Sequence, residues 1–276
     1  MGLVEGCEEE YVEIPLEYEG LPVKEIAKNS FSATDIKGIK IPEGVATIFA
    51  NTFESCKKLE SIELPSTIKN IGDSAFSGCS NLKSIQIPDG TTNIGKHAFY
   101  GCSSLKEVEV PTTVTRIDAG AFYGCNTLRK ITLPFVGNRL IYHKFKFFGY
   151  IFDATIAANN DMYVPASLKE VVITGGTSIA ASAFELCGNI EKISLPETVT
   201  EIGSRAFALC NNLKQINIPS SVTKIEGNTF EQCSSLKNLI IPEGVTSIGE
   251  RAFFFCKELK SIVIPSTVET IGPRST

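Results

Sequence analysis

The chain has 276 residues, 43% of them apolar, and a formal net charge of −5. That is ample apolar material for a continuous core, and the mild negative charge argues against a dedicated nucleic-acid binder, which carries a strong basic excess. No run of 18 apolar residues occurs, so the sequence offers no membrane-spanning helix.

The chain opens with Met1-Gly2-Leu3, without the basic start and apolar stretch of an export signal. Either the protein works in the cytoplasm or a signal has been removed, and removal is the expectation. Acidic Glu8-Glu9-Glu10 precedes a first strand pattern, Tyr11-Val12-Glu13-Ile14-Pro15. Glu17 to Val23 then makes a longer turn than any later one, and Phe31 begins a beat that the rest of the chain keeps. Terminal repeats are atypical because they hide one face of a stack, so residues 1–41 are expected to form a cap.

From there the sequence repeats every 23 residues. Proline recurs at Pro42, Pro65, Pro88, Pro111 and Pro134, then at Pro196, Pro219, Pro242 and Pro265. Phenylalanine recurs at Phe53, Phe76, Phe99 and Phe122, then at Phe184, Phe207, Phe230 and Phe253. A fixed period of this length predicts a solenoid, mainly β, in which each coil contacts only its neighbours. In the coil from Leu82, Ile85 and Ile87 alternate with Ser84 and Gln86, the pattern of a strand with one face buried. Pro88 ends that strand because it cannot donate to a ladder, and Asp89-Gly90 turns the chain. A second short apolar beat follows at Ile94, Ala98-Phe99 drives a ring inward, and Gly101-Cys102-Ser103-Ser104 returns to the next strand. Stacked in register, such strands give a parallel sheet along one side, with right-handed crossovers and little α-helix. Residues 1–276 are thus expected to form one domain, with regular coils over 42–134 and 174–272.

The beat breaks once, over residues 135–173, where Thr174 stands at the proline position after one coil plus 17 extra residues. The stretch holds Phe135, Tyr142, Phe145, Phe147, Phe148, Tyr150, Phe152 and Tyr163, with His143, Lys144 and Lys146. Insertions in repeat arrays map to surface loops that carry function. Phe135, Tyr150 and Phe152 are assigned to the core in place of the missing Ala-Phe pair. The remainder, Arg139, Tyr142, His143, Lys144, Phe145 and Lys146, is the candidate for partner binding. A last coil begins at Thr267 but stops at Pro273–Thr276 before any Ala-Phe, which is read as truncation.

Little in the chain suggests catalysis. Eight of nine cysteines, Cys56 to Cys256, lie three residues after a repeat phenylalanine and form one column. Coils stack about 4.8 Å apart with side chains in parallel, whereas a disulfide needs converging Cβ atoms about 3.8 Å apart. Free, buried thiols are therefore expected, and no Cys-x-x-Cys pair suggests zinc. Of two histidines, His97 is expected to face solvent and His143 lies in the insertion. No nucleotide-binding, metalloprotease or nucleophile-elbow motif is present. No catalytic residue, cofactor or metal is expected. One strand edge carries Lys83, Lys106, Arg129, Lys169, Lys214, Lys237 and Lys260, a basic stripe broken by Glu60 and Glu191. It is read either as a solvated face that blocks sheet aggregation or as a docking strip for an anionic partner, with Lys83, Lys106 and Arg129 as further candidates.

The unit Cys-x-x-Leu-x-x-Ile-x-Ile-Pro-x-x-Val-Thr-x-Ile-Gly-x-x-Ala-Phe resembles the BspA-like, or Treponema-type, leucine-rich repeats over nearly the whole chain. Ile14 to Val23 resembles that family's N-terminal cap, and the break over 135–173 resembles an irregular coil found in its members. The resemblance implies a leucine-rich-repeat solenoid and a bacterial or protist surface protein that adheres to host proteins or other cells, with no catalytic residues to transfer. The expected function is a non-enzymatic binding or adhesion module, secreted or at the cell surface. Its ligand is a protein or glycan, host-derived ligands included, with no nucleic acid, and the chain is expected to be a monomer. An intracellular interaction scaffold is the second reading.

Overall fold

A computed structural model describes residues 10–138 and 146–275, and the chain forms two compact units. The first comprises the residues up to Ile131 together with Ile151–Asp153, and the second comprises Thr132–Tyr150 and Ala154 onward. Each is a stack of β-coils with parallel ladders, the fold class expected from the period.

In the first unit, strands Tyr11–Glu13, Gly38–Lys40 and Ser61–Glu63 pair side by side in parallel. A second ladder joins Thr47–Ile48, Asn70–Ile71, Asn93–Ile94 and Arg116–Ile117, each pairing with the residue 23 positions on. The cap contains an antiparallel hairpin, Glu17–Tyr18 with Leu21–Pro22. Glu19 and Gly20 both have positive φ there, which the tightest hairpin turns require. The rings of Phe31, Phe53, Phe76, Phe99 and Phe122 stack in one file, successive centroids 5.3–5.4 Å apart.

In the second unit, strand Glu170–Ile173 pairs with Lys192–Ser194, which pairs with Gln215–Ile216. The first of these steps is 22 residues (Glu170 to Lys192) and the second 23 (Lys192 to Gln215). The shorter step reflects Thr174-Gly175-Gly176, where Gly175 passes so close to the Pro134 carbonyl that a Cβ would lie 2.8 Å from it. The phenylalanine file resumes with Phe148, Phe184, Phe207, Phe230 and Phe253.

Several expectations need correction. Leu82, Ile85 and Ile87 are buried as expected, yet Ser84–Ile87 carries no strand pairing. Burial of the isoleucines, rather than a continuous ladder, fixes that segment. Phe135 and Phe152 are core residues, but Tyr150 is only half-buried and Phe148 fills the file instead, 4.9 Å from Phe184. The phenolic oxygen of a tyrosine would need a polar partner there, and a phenylalanine does not. His97 is not solvent-facing. Its side chain is 29% exposed, with Nε2 3.5 Å from the Asp153 carboxylate, because Ile151–Asp153 covers that edge of the first unit.

One contact spans three coils of the second unit. Arg205 reaches Glu185 at 2.6 Å and Glu231 at 3.0 Å, and Asn228 also donates to Glu231. Burial pushes the Glu185 carboxyl up, but hydrogen bonds from Arg205 and Ser182 and the guanidinium charge outweigh it and hold the carboxyl below the ordinary range. A carboxyl lowered by folding contributes stability that is complete above its unfolded pKa and is lost as pH falls through its folded pKa. Arg205→Met should therefore cost about 1–2 kcal/mol near neutrality, with the deficit closing below about pH 4. Urea melts of both proteins across that range would show it, and a deficit independent of pH would remove the ion pairs as its cause.

Candidate partner-binding surface

The eight described cysteines are free and buried. Seven of these thiols point back into the preceding coils, the Sγ donating to a phenylalanine carbonyl; Cys102 to Phe76 and Cys125 to Phe99 are typical, at 3.2 and 3.3 Å. Burial raises Cys102, Cys187 and Cys233 well above the ordinary thiol range and pushes Cys125 and Cys210 up to about 12. Thiols so protonated are poor nucleophiles. Cys56 differs, its thiol lowered to about 7 by hydrogen bonding, first with Cys79. Burial shields all eight, so the column should stay silent to Ellman's reagent in the native protein, and unfolding without reductant should release about nine thiols, one for each cysteine. A shortfall in twos would mean disulfides. Among the described residues no cluster of His, Cys, Asp or Glu could hold a metal ion.

What remains is surface. Strand side chains alternate, so the inward isoleucines of each coil leave a row of outward positions between them. In the first unit these are Glu63, Gln86 and Glu109, all exposed. In the second, from Val172 onward, they are Val172, Ser194, Asn217, Ile240 and Val263. The first two are half-buried, and Asn217 uses its amide as a substitute ladder, accepting from the Leu195 N–H and donating to the Leu195 carbonyl, both at 2.8 Å. Ile240 and Val263 are 84% and 82% exposed, the most exposed large apolar side chains among the described residues.

The neighbouring basic column is partly neutralised. Lys83 pairs with Glu60 at 2.5 Å, and Lys214 with Glu191 at 2.7 Å. Both glutamates are held below their ordinary range, first by the hydrogen bond from that lysine. Lys192 pairs with Glu170 at 3.2 Å. Lys237 and Lys260 are exposed, and neither forms an ion pair with a carboxylate among the described residues. Lys237 follows Lys214 in the column and Lys260 follows Lys237, a cation in each case, whereas Lys83 and Lys214 each follow a glutamate. Against this part of the second unit lies an open groove of about 970 Å³, its floor including Ile193, Ile216 and Ile218 and its sides Lys214, Lys237 and Glu258. A smaller groove, about 710 Å³, runs along the second ladder of the same unit, from Lys146 past Ala180 and Gly203 to Glu226.

Of the residues singled out from sequence, Lys83, Lys106 and Arg129 are exposed in the first unit, and half-buried Lys146 edges the smaller groove. Arg139, Tyr142, His143, Lys144 and Phe145 lie outside the described residues. Lys237 and Lys260 belong to the basic stripe that the sequence reads either as a solvated face or as a docking strip, but neither they nor Ile240 and Val263 are among the binding residues singled out from it. The signal was present in the period: a lysine over a lysine, and an isoleucine and a valine at outward positions that hold Ser194 and Asn217 in earlier coils.

The family model for the BspA type leucine-rich repeat region matches residues 24–147 and 158–275, in six copies. Similar solved structures include a leucine-rich repeat protein from Bacteroides ovatus, 25% identical, covering 98% of this chain and 94% of that one with a TM-score of 0.43. Another is the Treponema pallidum leucine-rich repeat protein, 26% identical over 75% of this chain and 79% of that one, TM-score 0.46. A leucine-rich cell surface protein from Faecalibacterium prausnitzii is 25% identical over 97% and 88%, TM-score 0.39. No curated protein sequence matches the chain.

Proposed function

Because the chain belongs to the BspA-type leucine-rich repeat family, we propose that it is a non-enzymatic binding module of a secreted or cell-surface protein, serving adhesion to a protein or glycan ligand. Leucine-rich repeat proteins generally bind proteins through surfaces that many coils build together. The observation that carries the reading here is the open sheet face of the second unit, whose groove of about 970 Å³ combines an isoleucine floor with amide and lysine side chains. Protein-binding surfaces mix apolar and polar groups in this way. Among the described residues no helix is long and apolar enough to cross a membrane.

Two places are proposed for recognition: this sheet face, and the segment from Arg139 to Lys146 with its aromatic and basic residues. They can be separated by a binding screen against extracellular-matrix proteins and glycans. Shortening the insertion as a whole would be a poor variant, because Phe148, Phe152 and Asn160 within it are buried. Replacing only Tyr142, His143, Lys144 and Phe145 by serine keeps Phe148, Phe152 and Asn160 in the chain. Binding lost in that variant alone places recognition in the segment, and binding kept points to the sheet face. Absence of binding to every matrix protein and glycan, alongside capture of an intracellular protein, would favour the scaffold reading.

A further inference from the structure

We propose that the sheet face around Ile240 and Val263 recognises one class of partner: an acidic polypeptide segment that carries large apolar side chains. The proposal rests on the protein-binding reading above and narrows it to a place and a chemistry.

The apolar half of the argument is exposure without internal purpose. Ile240 and Val263 stand at successive outward positions one coil apart, and neither segment takes part in strand pairing that would need a β-branched residue. The coils before them show that the position tolerates polar residues, since Ser194 and Asn217 occupy it. Covering an isoleucine or valine side chain is worth roughly 1.5–3 kcal/mol, so the pair offers a partner a strong anchor and offers the fold nothing.

The charged half is an uncompensated column. Lys214, Lys237 and Lys260 follow one another at the coil period, with backbones about 4.8 Å apart. Glu191 answers only the first, and Glu258 is the one carboxylate lining the groove. Like charges stacked directly across neighbouring strands are unfavourable, and carboxylates from outside would relieve that. The lysine column and the Ile240–Val263 row are three residues apart along the chain, about 10 Å. A partner must therefore present acidic and apolar groups in two rows at about that distance. A sulfated glycan or a nucleic acid could answer the lysines but would leave both apolar side chains in water. An acidic peptide with leucine or phenylalanine answers both.

The test uses the full chain and a fluorescein-labelled peptide, Glu-Glu-Ser-Leu-Leu-Ser-Gly, followed by fluorescence anisotropy. Beside it run a Ser-for-Leu peptide of the same charge, a Lys-for-Glu peptide and labelled heparin. The first peptide should bind, the Ser-for-Leu peptide at least about tenfold more weakly, and the Lys-for-Glu peptide not at all. The paired variants Lys237→Glu with Lys260→Glu, and Ile240→Ser with Val263→Ser, should each weaken binding at least about tenfold. Serine already occupies that outward position at Ser194, and unchanged thermal melts would confirm intact folding. Equal binding of the Ser-for-Leu peptide or of heparin would reduce the face to simple anion attraction and overturn the proposal. So would binding unaffected by both variants, or no peptide binding up to about 1 mM. If the Ile240→Ser, Val263→Ser protein still captures a matrix protein that the parent captures, this proposal falls and the broader binding reading stands. If neither protein binds any partner, the broader reading falls with it.

Discussion

Phe99→Ala is expected to cost about 3–5 kcal/mol, while Lys106→Ala, on an exposed face, should stay within about 0.5 kcal/mol. Phe99 is fully buried, with its ring 5.3 Å from Phe76 and 5.4 Å from Phe122 and nearly parallel to both. Truncation removes two ring contacts and leaves a void in the middle of the file. The void cannot close readily, because the backbone under each flanking ring is tied down: the Phe76 N–H donates to the Ala98 carbonyl at 2.8 Å, and the Phe122 N–H to the Ile151 carbonyl at 2.9 Å. The cost should therefore sit toward the upper end of the range. Stability in such stacks is a sum of coil and interface terms, so the urea transition should also broaden as the two sides of the weakened coil uncouple. Phe99→Leu, which refills most of the space, should recover a large part of the loss. Equal thermal shifts for Phe99→Ala and Lys106→Ala would mean that the phenylalanine file does not hold the coils together.

The regular coils could be read from sequence because each contact is written many times. A ring at Phe99 sees the same neighbours as a ring at Phe76, so the period alone identifies the file, the cysteine column and the inward isoleucines. The irregular coil writes its contacts once. Nothing in the spacing favours Phe148 over Tyr150 for the file, and the choice turns on whether a phenolic oxygen would find a partner. His97 matches Ser74 and Arg205 in the period, but its burial comes from Asp153, 56 positions along in a segment with no counterpart elsewhere. The candidate surface falls between these cases. The basic stripe was evident, yet its uncompensated part depends on which residue stands one coil earlier, glutamate below Lys214 and lysine below Lys237. Exposure of Ile240 and Val263 follows from strand alternation, but their prominence emerges only when the shielding of Val172 and the amide bridge of Asn217 are seen.

The irregular coil of the second unit should depend on one polar side chain. Asn160 is fully buried. Its Oδ1 accepts from the Gly149 N–H at 2.9 Å, and its Nδ2 donates to the carbonyls of Glu185 and Ala183 at 2.8 and 3.5 Å. The side chain thus satisfies backbone groups on both sides of the break in the beat, where no regular ladder is available to them. Gly149 has no room for a Cβ, which would meet Asn160 itself. Asn160→Ala strands the Gly149 N–H and the Glu185 carbonyl and should cost about 2–4 kcal/mol, the Ala183 carbonyl keeping its bond from the Phe148 N–H. Asn160→Asp keeps the shape but turns an ionised oxygen toward two carbonyls, so it should be at least as damaging at neutral pH. Burial and those carbonyls both favour the neutral acid, which places the folded pKa of that aspartate above its unfolded value. Stability from such a group is fully present below the unfolded pKa and is lost as pH rises through the folded one. The Asn160→Asp protein should therefore gain on the Asn160→Ala protein as pH is lowered from 7 toward about 4, because the protonated acid can donate to Glu185 as the amide does. Measuring the difference between the two variants cancels the acid sensitivity that they share. A gap that does not change with pH would show that the site needs only the volume of asparagine, not its donor.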